Sequence, residues 1–457
     1  MFFETVYTPG LAHMSYVIGD AGKAAVIDPR RDSEVYIRIA GEHQARITHV
    51  FETHRHEDFV IGSIDLARRT GARICHSRAL DFDYGEGTSE GESFEFGSIG
   101  LSVLATPGHT DESISLVMTD AVSGAGPVAV FTGDALFVGG VGRTDFYPDR
   151  AEQAASALYD SIFEKLLPLG DGVLLHPAHG AGSVCGMSMW SRRFSTLGYE
   201  RRHSFALQKS RSEFIRHKLN EHHYKPPYFA CMHRWNKEGA VPLAMPVPEA
   251  LQPGEFSTAV RAGMVVVDVR EPEAFIGAAV PGSLSLPLDM LASFAGWLLS
   301  YDDEIGLVAD GYAQVEDAVL GLVRIGYERV SAFLAGGMPA WQSSGREYQS
   351  IPAVNAQRLL ERIESGEKFL LLDVRSQGEY DRDHIPDSLH IYVGELAARL
   401  KEVPEQRPVT CFCSTGRWAT TAASILCRGG IEMVEDCLGS MEAVTAVEAR
   451  RAAGIGR

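Results

Sequence analysis

The 457-residue sequence has no excess of positive charge: 42 Lys and Arg stand against 60 Asp and Glu, a formal net charge of -18. Phosphate backbones are bound by basic footprints, so nucleic acid is excluded as the main partner; a small anion, which needs only local positive charge, is not. Long hydrophobic runs are missing too. No stretch approaches the roughly 18 uninterrupted apolar residues of a membrane span, and no membrane partner is expected. The opening MFFETVYTPGLAHMSYVIGD lacks the basic start and apolar run of a secretory signal, which points to the cytoplasm. Cysteine is sparse, scattered and odd in number: Cys75, Cys185, Cys231, Cys411, Cys413, Cys427 and Cys437. A secreted disulfide framework uses paired, closely spaced cysteines, so free thiols are expected instead.

What remains is ordinary globular composition, 45% hydrophobic and 22% charged, over a length that suggests about three domains. From residue 1 to about 245, apolar runs at 12–19, 23–29, 45–54, 98–109, 113–119, 127–137 and 172–180 read as strands. Several end on His or Asp followed by a loop. Loops held at strand ends by a rigid sheet are the usual place for chemistry. A Pro-rich linker, MPVPEALQPG (245–254), closes this region. Beyond it lies a repeat: VVVDVREPEAF (265–275) aligns with LLLDVRSQGEY (370–380), and LAGGM (334–338) with CLGSM (437–441). Each copy reads strand, turn, helix, strand, loop, helix, the pattern of a parallel α/β sheet. The expected domains are 1–245, 250–349 and 353–457.

The richest motif is Thr53-His54-Arg55-His56-Glu57-Asp58-Phe59. It is followed by Pro107-Gly108-His109-Thr110, Thr132-Gly133-Asp134 and His176-Pro177-Ala178-His179-Gly180. Imidazoles and carboxylates on several strand-end loops supply first-row metal ligands without thiolate. This series resembles the metallo-β-lactamase fold, an αββα sandwich, over residues 1–240. Binuclear members carry a His where this chain has Phe59, so one metal is expected. Within that fold, FTGDALFVGGVGRTDFY (131–147) resembles the persulfide dioxygenases. The resemblance implies one Fe(2+) per chain, held by His54, His109 and Asp134, with His56, Asp58 and His179 around them. It also implies that Arg143 grips the thiol carrier. The implied reaction is oxidation of a persulfide of glutathione or coenzyme A type by O2 to sulfite, a step of sulfide detoxification. The segment 192–237 holds eleven Lys and Arg against three Glu, a candidate cradle for such an anionic carrier.

The second motif is Cys413-Ser414-Thr415-Gly416-Arg417-Trp418, between the apolar run PVTCF and the helical ATTAASIL. A cysteine heading a strand–loop–helix has backbone N–H groups and a helix N-terminus aimed at its sulfur, which favours the thiolate and lowers its pKa. Arg417 adds positive charge. With Asp373-Val374-Arg375 and His384-Ile385-Pro386, this region resembles rhodanese over 353–450, which implies sulfur transfer among persulfide, sulfite and thiosulfate through Cys413. The first copy has the same frame without a nucleophile. Asp310 precedes Gly336 by 26 residues, as Cys413 precedes Gly439, so Asp310 is read as standing in the cysteine's place and the copy as a spacer or docking platform. Cys185, near the metal motifs, is a further sulfur-handling candidate. The rival readings are a glyoxalase II-like thioester hydrolase fused to a sulfurtransferase, and a non-catalytic sulfur carrier or sensor. A homo-oligomer is compatible with all of them.

Overall fold

The computed structural model describes residues 1–453 except 125 and 187. The chain divides into two compact units, residues 1–244 with 323–326, and residues 245–322 with 327 onward. Among the described residues no helix is long and apolar enough to cross a membrane.

The first unit is an αββα sandwich. One six-stranded sheet runs, in spatial order, Phe2–Thr8, His13–Asp20, Lys23–Ile27, Arg46–Phe51, Arg73–Ser77 and Glu86–Thr88. The other runs Ser195–Thr196, Leu174–Pro177, Pro127–Gly133, Ile114–Asp120, Ile99–Ala105 and Ser93–Phe96. Side chains alternate along a strand, and the sequence uses both faces. Met14, Tyr16 and Ile18 point inward against Leu101, Val103, Leu116 and Phe131 of the opposite sheet. Val17 points outward and packs with Tyr36 and Ala40 of the helix Glu34–Glu42. On the far side, Val117, Val130 and Leu175 pack against Leu158, Ile162 and Phe214. The layers therefore follow from strands that are apolar on both faces.

The second unit contains the two repeat copies. Their sheets have the same parallel order: Glu249–Leu251, Val330–Leu334, Ile305–Val308, Val265–Asp268, Leu284–Ser285, and Ala353–Val354, Val434–Cys437, Val409–Phe412, Leu370–Asp373, Leu389–His390. The registers correct the expectation for Asp310. Asp268 pairs with Val308 as Asp373 pairs with Phe412, so Ala309, not Asp310, stands where Cys413 stands. The residue count misled because Val330–Leu334 carries a bulge: Ile305 and Gly306 face Val330 and Ala332, leaving Ser331 over. One extra residue on a bulged strand shifts any count across it by one. The loop differs as well, since the following helix starts at Tyr312 in the first copy and at Arg417 in the second. The residue at the cysteine's place is a buried alanine.

Candidate metal centre and sulfur site

The loops after Arg46–Phe51, Ile99–Ala105, Pro127–Gly133 and Leu174–Pro177 bring the predicted residues together. One ligand atom each from His54, His109 and Asp134 lies within 4.8 Å of the others, all three residues buried. Asp134 Oδ2 is 3.6 Å from His54 Nε2 and 3.4 Å from His109 Nε2. Close approach here needs glycine: at Gly133, with φ +52°, a Cβ would meet Thr53 Oγ1 at 2.6 Å.

The hydrogen bonds orient both rings. Thr53 donates its N–H and its hydroxyl to the Asp28 carboxylate, each at 2.7 Å. With that hydroxyl proton committed, the 2.9 Å contact between Thr53 Oγ1 and His54 has Nδ1–H of the ring as donor. His109 Nδ1–H likewise donates to the Arg143 carbonyl at 3.0 Å. In each neutral ring the lone pair then lies on Nε2, and neither Nε2 has a hydrogen-bond partner among the described residues. Burial pushes His109 down to about 3. Burial opposes the charged form of His54 too, but the Asp134 carboxylate raises it above the ordinary imidazole range. Two orphaned, buried imidazole lone pairs beside a carboxylate are what a divalent first-row metal satisfies, so the residues fit a metal.

A second group, His56, Asp58 and His179, also brings its ligand atoms within 4.8 Å. His179 Nδ1–H donates to Asp134 Oδ1 at 2.7 Å, and its Nε2 lies 3.0 Å from Asp58 Oδ2. Burial would lower His179, yet the pull of Asp134 and Asp58 raises it well above the usual range. His56 Nε2 lies 3.3 Å from Asp28 Oδ1. The Phe59 ring packs against His56 and His13, centroids 4.5 and 4.3 Å away.

Asp28 and His13 were not singled out in the sequence. The Asp at the end of an apolar strand, in AAVIDP, carried a signal; His13 carried none. Cys185 joins Asp134 and His179 as a third grouping of ligand atoms within 4.8 Å, and burial pushes its thiol well up.

Arg143 lies buried in the same unit. Its side chain is fully enclosed and forks onto Asp145 at 2.6 and 2.8 Å, with Nη1 donating to the Val184 and Tyr224 carbonyls. Those donors are already engaged, and its backbone carbonyl orients His109. In the basic segment, four arginines have partners within the same unit. Arg192 lies over Trp190 and Tyr199, Arg193 over Tyr7, Arg201 pairs with Asp171 and Arg211 with Asp160.

In the second unit, Cys413 follows Val409–Phe412 directly and is 2% exposed. Its Sγ accepts the Gly416 N–H at 3.0 Å, its own N–H donates to Ser440 Oγ at 3.0 Å, and Ser414 donates to Glu379 at 2.7 Å. Gly416 is at φ +103°, where a Cβ would meet Gly439 N at 2.9 Å. The expected lowering of the thiol is overridden: burial raises it, while the N–H groups of Ala419, Gly416 and Thr415 pull it down without prevailing. Arg417, in the helix that follows the sulfur loop, donates to Glu271 at 2.9 Å and to Asp289 of the first copy.

Fold and site together define a metallo-β-lactamase-type metal domain joined to two rhodanese-like domains, the first of them without a cysteine. The family model of the metallo-beta-lactamase superfamily matches residues 8–179, and that of the rhodanese-like domain matches 252–344 and 355–446. The mitochondrial persulfide dioxygenase ETHE1 of Mus musculus is 30% identical over 224 residues, 47% of this chain and 80% of that protein. The hydroxyacylglutathione hydrolase GloC of Haemophilus influenzae is 29% identical over 202 residues, 39% of this chain and 91% of that protein. A solved metallo-beta-lactamase from Staphylococcus aureus superposes with a TM-score of 0.67 at 33% identity, covering 73% of this chain and 99% of that one. The chain belongs to the ETHE1 persulfide dioxygenase family of the metallo-beta-lactamase superfamily, extended by its rhodanese-like domains. Both parts make it an enzyme of sulfur metabolism.

Proposed function

We propose that the first unit oxidises a low-molecular-weight thiol persulfide with O2 to sulfite, and that Cys413 moves sulfane sulfur among persulfide, sulfite and thiosulfate. The oxidation balances as RSSH + O2 + H2O giving RSH and sulfurous acid, which ionises to sulfite. The observation that carries the reading is the pair of orphaned Nε2 atoms of His54 and His109 facing Asp134 Oδ2. An Fe(2+) held there by these three side chains would supply redox chemistry with coordination positions open to O2 and substrate. The chain's own residues prepare that site. Asp28 and Thr53 fix the tautomer of His54, the Arg143 carbonyl fixes that of His109, and His179 holds Asp134 by its other oxygen. Such outer partners set ring orientation and ligand basicity. Burial of every one of these groups excludes bulk water.

At Cys413, the thiolate attacks the terminal sulfur of a persulfide donor, the donor's S–S bond breaks, and the thiol leaves with the electron pair. Sulfite then attacks the terminal sulfur of the Cys413 persulfide, releasing thiosulfate and restoring the thiolate. The N–H groups of Gly416, Thr415 and Ala419 stabilise the anionic sulfur at each stage.

The grouping of His56, Asp58 and His179 favours a second reading, a two-metal thioester hydrolase like the hydroxyacylglutathione hydrolases. Phe59, which offers no ligand atom, opposes it. Metal analysis with an oxygen electrode separates the two. One iron per chain with persulfide-dependent O2 uptake is the expected result; two metals with thioester cleavage and no O2 uptake would overturn the dioxygenase reading.

A further inference from the structure

The first repeat copy has no nucleophile, yet it reaches the Cys413 loop. Arg417 follows Gly416, whose N–H touches Sγ, and its guanidinium is held by Glu271 and Asp289 of that copy. The helix Leu288–Leu298, which carries Asp289, also sets Phe294 edge-on to Trp418 at 5.4 Å. Ser285 N–H donates to Ser424 Oγ at 3.0 Å and Arg428 to the Gly282 carbonyl at 2.8 Å. The two carboxylates are about two-thirds exposed, at 64% and 65%, whereas Arg417 is at 33%. They are therefore not buried counter-ions of a structural core. One guanidinium against two carboxylates leaves a formal charge of -1, and Glu379, bonded to Ser414, adds another. The neighbouring Arg375 is engaged by Asp373.

From this we infer that the inactive copy is a specificity element of the Cys413 site. Its Glu271 and Asp289 form an acidic collar that neutralises Arg417 and discriminates against dianionic sulfane donors in favour of singly charged ones. The inference rests on sulfur transfer at Cys413, as proposed above. Like charge at a mouth lowers the local concentration of an anion in proportion to its charge, so a dianion is penalised more than a monoanion.

The test uses the full-length chain and two donors with the same kind of sulfane sulfur, thiosulfate (dianion) and methanethiosulfonate (monoanion). In each, the Cys413 thiolate takes the sulfane sulfur and sulfite or methanesulfinate leaves with the electron pair; cyanide then removes that sulfur as thiocyanate, which is measured. The variant E271Q/D289N changes the collar and Arg417 from -1 to +1. It should raise kcat/KM for thiosulfate relative to methanethiosulfonate by about 3- to 10-fold at low salt. The shift should shrink in about 0.5 M salt, and E271D/D289E should keep the parent ratio. A donor ratio that is the same in parent and E271Q/D289N overturns the collar alone. No thiocyanate from either donor in the parent chain would overturn the sulfur-transfer reading on which it rests.

Discussion

Tautomer control at His54 is a matter of one hydroxyl. Thr53 passes the Asp28 carboxylate's hold to the ring, and without it Nδ1 and Nε2 become alternative protonation sites. Thr53→Val should keep the fold and weaken metal binding roughly 10–100-fold, the effect usual for an outer partner; competition against a chelator of known affinity measures it, and unchanged affinity would rule the relay out. Cys413 is the other single-residue dependence. Cys413→Ser should abolish sulfur transfer and thiosulfate formation while O2 uptake with added persulfide persists. Loss of both activities in a folded variant would contradict two independent sites. The raised thiol also has a consequence. Because burial rather than the N–H cradle dominates at Cys413, its reactivity should climb as pH rises above neutrality, which a pH series of thiol labelling would show.

At the scale of elements, the strand–loop–helix after Val409–Phe412 depends on a glycine and tolerates an unfavourable carboxyl. Gly416→Ala places a Cβ at φ +103° and 2.9 Å from Gly439 N. It should cost about 1–3 kcal/mol in urea denaturation and slow transfer at Cys413. The Asp436 carboxylate, on the neighbouring strand Val434–Cys437, accepts from Thr420 alone among the described residues, and burial raises it to about 7. Its folded value lies above its unfolded one, so the folded state binds the extra proton. Stability is then greatest below about pH 4 and falls as pH rises from there through 7. Asp436→Asn should remove that loss, stabilising the unit by roughly 2–4 kcal/mol at pH 8 and by little at pH 4. A thermal melt series across that range checks the sign.

At the scale of the molecule, the proposed function assigns two chemistries to two units that use different physics. One needs a cation to satisfy orphaned buried lone pairs; the other needs only backbone N–H groups around a sulfur. Stripping the metal with a chelator should therefore end O2 uptake and leave transfer from a sulfane donor to cyanide within about twofold of the untreated chain. Coordinate loss of both would show that the second unit depends on the metal.

Both architectures were legible in the residues, because each rests on local pattern. Seven apolar runs, several of them ending in His or Asp, placed strands near their observed positions, and the repeated DVR frame placed two matching sheets. The strand-end positions made His54, His109 and Asp134 candidates, only the family resemblance of their motifs picked them out as a set, and the fold brings one ligand atom of each within 4.8 Å of the others. What the linear pattern could not supply was anything set by register or burial. The bulge at Ser331 moved Asp310 off the cysteine's position. Enclosure holds Arg143 in a buried fork on Asp145, and desolvation reversed the shift expected at Cys413. Ion pairs drew Arg417 toward Glu271 and Asp289, 146 and 128 residues away in the chain. Composition and periodicity act on neighbours in the chain, and so they reach as far as elements and the motifs at their ends. Desolvation and long-range charge act on neighbours in space, which exist only once the chain has folded.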